Sequence, residues 1–593
     1  MKFKQTSFNG GLNLLLDDTR LPVSIKYKEG DSPYDITFDQ YRFASNVRSR
    51  FDVCTPIAQS VVCLSAPAGL KQGIIPFGRY VIAFIAGSAY YSQVGTQNWV
   101  EITGFAMSTT APRYWAISIP LNCTNYGRQA IIPVGGSTSA NAGITQTPVN
   151  LSASAQFGTV PGLLVQDGTN QPRFLYIDSN NIVQCRVTQT YQQWTAVYDG
   201  SGVLTTDLRE YVPVGTLMEF YNGILFVVGS DLTSLYRSVS GRPLDFVVNV
   251  TTAGQPGGDA TTTSYSVGVG GITAIKAMQG NVLFVAAGGA TFLVSLNQTP
   301  NSPTVFGEYT FNRQILFSSS CIDEKGIIDI SGPIGSGNST TAGDTVFIAA
   351  EGLRSFNAVE QQQNEGRNSV FSSTIQSLFT GITQVTLACS AVVFDNYGIF
   401  SVNTTMGFAL VVYDAINSCY SSVDFNSLSG AGAKQFAAIT IGTLALYAIT
   451  TDDRIVQLYS APTVESGVVR LGSVASQDPE KELQVIDVRA IFTNITKDFS
   501  VTCHLFVNNR YDGSITEKLK YVPPANTYTG PSIGLDVGTQ TNSIRFPFNS
   551  SQGWKAFPVI SWTDGASLTS VSISTKDVMP LQPLRTQAVV DQS

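Results

Sequence analysis

The chain has 593 residues, a formal net charge of −7 and 13% charged residues, half the ~25% usual for soluble domains. Hydrophobic residues make up 43%, which excludes disorder through low hydrophobicity, and the length predicts two or three domains. The acidic balance and the lack of Lys/Arg runs exclude a tight electrostatic grip on nucleic-acid phosphates.

In chain order, residues 1–70 lack a regular rhythm. Two polar connectors, at 17–20 and 26–31, suggest an extended arm with strands that pack on other elements. The run Leu14-Leu15-Leu16 is too short for a secretory leader core. The longest apolar stretches, at 80–91 and 436–449, fall short of the ~18 residues of a spanning helix. These features predict a protein made in the cytoplasm, without stable membrane insertion.

From residue 71 a turn repeatedly runs into a short apolar strand. The copies are Asn222-Gly223-Ile224-Leu225-Phe226-Val227-Val228, Gly280-Asn281-Val282-Leu283-Phe284-Val285-Ala286 and Gly343-Asp344-Thr345-Val346-Phe347-Ile348-Ala349. Looser copies start at Asn396 and Gly442, and an earlier one at Gly78. The markers Leu225, Leu283, Val346, Ile399 and Leu446 lie 58, 63, 53 and 47 residues apart. Propeller blades commonly run about 40–50 residues. Gly/Ser/Thr/Asn-rich insertions at 135–147, 254–266 and 331–343 account for the excess and read as surface loops. Near-continuous apolar runs favour blades packed on both faces over a stack of β-sandwiches.

The charged stretch Gln477-Asp478-Pro479-Glu480-Lys481-Glu482 marks a boundary, followed by alternating strands at 484–492 and 500–507. This tail predicts a separate β-sandwich or closing strands for the propeller. The fold class is therefore all-β: a propeller-like core at 71–475, an N-terminal arm at 1–70 and a sandwich-like β-rich domain at 476–593.

No catalytic, cofactor or metal site is predicted. The one histidine, His504, alternates with apolar neighbours in a strand, and no GxSxG elbow offers a serine. Val267-Gly268-Val269-Gly270-Gly271 does not complete a GxGxxG, and Asp167-Gly168-Thr169-Asn170 lacks the later acids of a calcium loop, so both read as turns. Eight cysteines without CxxC pairs read as buried thiols. Carboxylate pairs for glycoside cleavage need not be close in sequence. Tyr90, Tyr91, Trp99, Trp115 and Trp194 are candidates for stacking on sugars, with blade packing the favoured role.

Three motifs, in order, carry a family resemblance. The first is the opening Phe8-Asn9-Gly10-Gly11-Leu12-Asn13, followed by a strand containing Asn46, Arg48 and Arg50. The second is the aromatic-Asn222-Gly223 strand with Tyr236-x-Ser238 and Phe246 after it. The third is Gly352-x-x-Ser355-Phe356. Together these resemble the tail nozzle proteins of short-tailed bacteriophages, also called tail tubular protein B or packaged-DNA stabilisation proteins. The chain departs from the family in having Phe51 rather than glycine after Arg50.

The resemblance implies a non-enzymatic virion protein of the tail, assembled in the host cytoplasm as a ring of about six copies. Such a ring binds a tail adaptor through strands of the arm and binds fibre or tip proteins distally. It retains packaged double-stranded DNA and then conducts it without specific contact. The alternatives are a glycan-binding tail or surface adhesin, and a polysaccharide-cleaving propeller enzyme.

Overall fold

The computed structural model describes residues 40–50, 52–96, 98–122, 159–178, 180–187, 212–221, 223–238, 270–278, 282–287, 290–295, 320–330, 344–356, 371–379, 389–404, 406–425, 427–475, 481–521 and 542–578. It also describes positions 243 and 246 and the short strands Lys2–Gln5, Gly11–Leu12, Tyr191–Gln192, Val197–Tyr198, Leu204–Thr206, Arg209–Glu210, Thr261–Ser264 and Arg313–Ile315.

Among these residues, seven antiparallel meander sheets follow one another as propeller blades. Their innermost strands are Lys71–Phe77, Trp115–Asn122, Gly215–Tyr221, Ile272–Met278, Ile327–Ile330, Ser390–Phe394 and Ala433–Ile439. Neighbouring inner strands pack on one another, except that Ile272–Met278 meets the fifth blade through the turn Glu324–Gly326 and a shared core, and Ala433–Ile439 packs on Lys71–Phe77, so the ring is closed. The outer strand of the seventh blade comes from the arm: Val61–Val62 pairs antiparallel with Ile455–Leu458. The closing strand thus belongs to the N-terminal segment, and the C-terminal tail builds the sandwich.

The repeated turn-plus-strand signal is the second strand of a blade. Tyr80–Ile85, Ile224–Gly229, Asp344–Ala349 and Ala445–Thr450 are buried at every position. Successive side chains of a strand point to opposite faces, and in a propeller both faces meet another blade. Thus Leu225 and Val227 join the core toward the second blade, and Phe226 and Val228 the core toward the fourth. Tyr447 and Ile449 likewise face the first blade, while Leu446 and Ala448 face the sixth.

The sandwich has two sheets. One carries Val53–Pro56, Val47–Arg50, Glu482–Thr493, Asn542–Pro547 and Ser567–Val578, with Lys2–Gln5 on Ser567–Val578. The other carries Phe43–Ser45, Gly467–Arg470, Lys555–Trp562, Phe499–Val507 and Arg510–Leu519. The arm therefore contributes to both sandwich sheets as well as to the propeller. Gly467–Arg470, inside the span assigned by sequence to the propeller, pairs with Lys555–Trp562 of the sandwich. The sandwich core around Val488, Phe492 and Trp562 is continuous with the interface of the fifth and sixth blades through Val346, Phe400 and Tyr413.

One loop expectation is corrected. Thr261–Ser264, within the expected loop 254–266, is the fourth strand of the third blade, paired with Ser234–Arg237. An outer strand of threonine and serine has no apolar run to announce it. The loops 135–147 and 331–343 lie outside the described residues.

Candidate functional site

Two polar clusters stand out in this apolar molecule: the weld between arm, sandwich and sixth blade, and the axis of the ring. The weld is built on Val47–Arg50, which packs against Cys419–Asp424, the outer strand of the sixth blade. Asn46 adopts φ 58, and its N–H donates to Asp424 Oδ1 at 2.7 Å. Arg48 Nη1 donates to Asp424 Oδ2 at 2.9 Å and Nη2 to the Tyr459 hydroxyl at 2.7 Å. The Arg50 guanidinium lies 3.9 Å from the Tyr397 ring centroid, and its Nη2 donates to the Asp395 carbonyl at 3.0 Å. Beside them Tyr41 donates to Ser49 Oγ at 2.9 Å, and the Ser49 N–H donates to Ser421 Oγ at 2.9 Å.

Electrostatics match this geometry. Burial opposes the Arg48 charge, but Tyr459 and Asp424 outweigh it, and its pKa rises. Burial pushes the Tyr459 and Tyr397 hydroxyls up to about 12, against the pull of the neighbouring guanidiniums. Two arginines held between buried carboxylates and tyrosine rings form a rigid joint.

At the axis, Arg113 lies two residues before the inner strand of the second blade, and Asp323 four before that of the fifth. Arg113 Nη1 donates to both Asp323 oxygens, at 2.8 and 2.7 Å. These blades stand on opposite sides of a seven-membered ring, so the pair spans its mouth. Asp323 Oδ1 also caps the turn Glu324–Gly326 by accepting the Lys325 N–H at 2.9 Å. Burial raises the pKa of the neighbouring Glu324. Farther along the inner strands, Lys276 Nζ lies 3.3 Å from Asp329 Oδ2 and 3.8 Å from Glu219 Oε1. Burial raises the Glu219 pKa, and Lys276 partly offsets it.

The remaining motif residues hold individual blades. The Ser238 N–H donates to the Leu225 carbonyl at 2.9 Å, and the Leu225 N–H donates to Ser238 Oγ at 2.9 Å. Tyr236 and Phe246 pack in the core between the second and third blades. Gly223 (φ 81) and Gly352 (φ 134) adopt backbone conformations that favour glycine. Ser355 donates to Asp344, and Phe356 is buried against Phe284. Gly11 and Leu12 form a short strand parallel to Gln40–Tyr41. Phe8, Asn9, Gly10, Asn13 and Asn222 lie outside the described residues.

The aromatic candidates split. Trp99 and Tyr90 pack against the core between the seventh and first blades, Tyr91 against that of the first and second, and Trp115 against those flanking the third blade. They are packing residues, and Trp194 lies outside the described residues. His504 has the Tyr511 ring 6.2 Å away, and no metal-holding cluster of His, Cys, Asp and Glu occurs among the described residues. Asp167 caps its own turn, accepting the Thr169 and Asn170 N–H groups at 2.9 and 2.6 Å. The seven described cysteines are free thiols, five of them buried.

Sequence reasoning missed Arg113, Asp323, Lys276, Asp424 and Tyr459. A signal existed for the first three: in a chain with 13% charge, each lies in or just before an inner strand.

No family model matches the chain, and no curated protein matches it. Among solved structures, it is similar to the extracellular domain of the hybrid two component system BT3049 from B. thetaiotaomicron. That likeness has 10% identity and a TM-score of 0.34, and it covers 92% of this chain and 62% of that one. A second is a glycoside hydrolase family 43 arabinoxylan arabinofuranohydrolase from Bacillus subtilis, with 10% identity, a TM-score of 0.19 and coverage of 88% and 99%. A third, the extracellular domain of the one component system BT4673 from B. thetaiotaomicron, has 11% identity, a TM-score of 0.23 and coverage of 83% and 91%. The chain thus spans less than two thirds of the first of these, and none of them carries a function over.

Proposed function

We propose that the chain is a structural virion protein, a subunit of a tail ring of about six copies that retains packaged DNA and conducts it at infection. The observation that carries this reading is the weld. Asn46, Arg48 and Arg50, part of the resemblance to tail nozzle proteins, are the residues that lock the arm and sandwich onto the sixth blade. A ring subunit under internal pressure needs its domains fixed to one another, and a buried carboxylate shared by a guanidinium and a backbone N–H is a device for that.

The axis bears on where DNA would pass. Arg113–Asp323 and the Lys276 cluster bridge the middle of a single propeller. The conduit would therefore lie between subunits, outside any one propeller. The net charge of −7 per chain suits a lumen that repels phosphates and lets DNA slide. Glu219 and Asp329 share one ammonium, which disfavours a free acid and base for glycoside cleavage at this point.

Electron microscopy of particles carrying an antibody to this chain tests the reading. Label on the tail axis, with loss of DNA from particles lacking the chain, is expected. Label elsewhere on the particle, or saturable glycan binding by the purified protein with intact retention of DNA, overturns it in favour of an adhesin. Release of oligosaccharide overturns it in favour of an enzyme.

A further inference from the structure

The seam where the first and seventh blades meet contains a small recess, with room for little more than a water molecule, lined by Lys71, Gln72, Arg113, Lys434 and Gln435 among others. Its charged residues are all cations, drawn from three successive blades around the seam. Lys434 is neutralised by Asp453 at 2.6 Å and Arg113 by Asp323 at 2.7 Å. Lys71 has no such partner. It is 5% exposed, and its Nζ donates to the Pro67 carbonyl, with no carboxylate in ion-pair range among the described residues.

The polar atoms around it are largely committed. Gln72 Nε2 donates to the Ser108 and Ala111 carbonyls at 2.8 and 2.7 Å, and its Oε1 accepts the Gly87 N–H at 2.8 Å. Gln435 Nε2 donates to the Ile74 carbonyl at 2.6 Å, and its Oε1 accepts the Ile74 N–H at 3.4 Å. Arg113 Nη2 is buried without an acceptor among the described residues. The groups left over are N–H donors on Lys71, Arg113 and Lys434. A desolvated ammonium beside spare donors lacks a counter-charge, which interiors tolerate poorly.

We infer that this recess is a binding site for one monatomic anion, of chloride class, held by Lys71 and Arg113. The bound anion joins the opening strand of the ring to its closing blade. In its absence Lys71 carries the desolvation alone, in keeping with a pKa lowered by burial and only partly restored by Asp453.

Thermal unfolding of the full chain at constant ionic strength, with gluconate exchanged for chloride, tests the site. A saturable rise of a few degrees is expected with chloride. Lys71→Met should raise the half-saturating concentration at least tenfold, while Lys497→Met, on the exposed sandwich surface, should leave it unchanged. A melting temperature indifferent to the anion, or an equal rise in Lys71→Met, overturns the inference. Should Lys71→Met fail to fold, crystals of the unaltered protein in bromide decide: an anomalous peak in the recess is expected, and its absence at saturating bromide overturns the site.

Discussion

The propeller and the sandwich are both antiparallel β-structure, yet their strands bury themselves differently. Val282–Ala287 in the fourth blade presents Leu283 and Val285 to one neighbouring blade and Phe284 and Ala286 to the other. Phe499–Val507 in the sandwich buries Val501, Cys503 and Leu505, while Ser500 is exposed and Thr502 and His504 are only partly covered. The difference teaches that periodicity reports what lies on each side of a sheet rather than strand structure as such. A sheet between two blades reads as continuously apolar, and a sheet with one wet face alternates.

Scanning adjacent pairs should reveal this directly. Phe284→Ala should cost about 3–5 kcal/mol and Leu283→Ala about 2–5 kcal/mol, because each empties a separate interface. In the sandwich, Leu505→Ala should cost about 2–5 kcal/mol and His504→Ala within about 0.5 kcal/mol. Denaturant midpoints of the four variants provide the measurement. Equal costs at Leu505 and His504 would break the comparison.

The joint between the two regions comes next in size. Asp424→Ala leaves Arg48 buried without its carboxylate and should cost about 3 kcal/mol. It should also split one calorimetric transition into two, for propeller and sandwich, whereas Ser422→Ala, which removes only one acceptor of Arg48, should keep a single transition.

A smaller effect belongs to the ring seam. Burial lowers the Lys71 pKa in the folded state and Asp453 only partly restores it, in a recess that Lys434 and Arg113 also line. Between that lowered value and the ordinary lysine value of about 10.4, the unfolded chain binds more protons. Without a binding anion, stability should therefore rise with pH in this alkaline window, and Lys71→Met should remove that slope. Denaturation at a series of pH values rising toward about 10.4 measures it. A falling slope would contradict the burial of an unpaired ammonium.

The smallest expected effect lies at an exposed turn. Asp231, whose pKa is held down to about 2 by the hydroxyl and N–H groups of Ser234 and Thr233, organises the turn between two strands of the third blade. Its contribution is present above the ordinary aspartate range and is lost as pH falls through about 2. Asp231→Asn should therefore flatten the acid end of the stability profile slightly, without touching the sandwich.

Much of the fold was legible because second strands are buried on both faces and follow tight turns. The second blade escaped because segment 123–158 separates Thr159–Gln166 from its preceding strand, so no turn announces it. Val61–Val62 escaped because two residues carry no periodicity. At the weld, Asn46, Arg48 and Arg50 were visible through resemblance, but Asp424 and Tyr459 were not, since partners hundreds of residues apart share no local pattern. The same distance hid Arg113 from Asp323.

The strand Val61–Val62 has a consequence for how the molecule is made. It leaves the ribosome early, yet the edge it must join, Ile455–Leu458, emerges only after all seven inner strands. Synthesis at ~5–20 residues per second leaves the first blade waiting in an unclosed arc for roughly tens of seconds. Lys2–Gln5 waits longer still, for Ser567–Val578. A nascent chain interrupted before these partners can close neither the ring nor the sandwich, so shape itself sets truncated copies apart from complete ones.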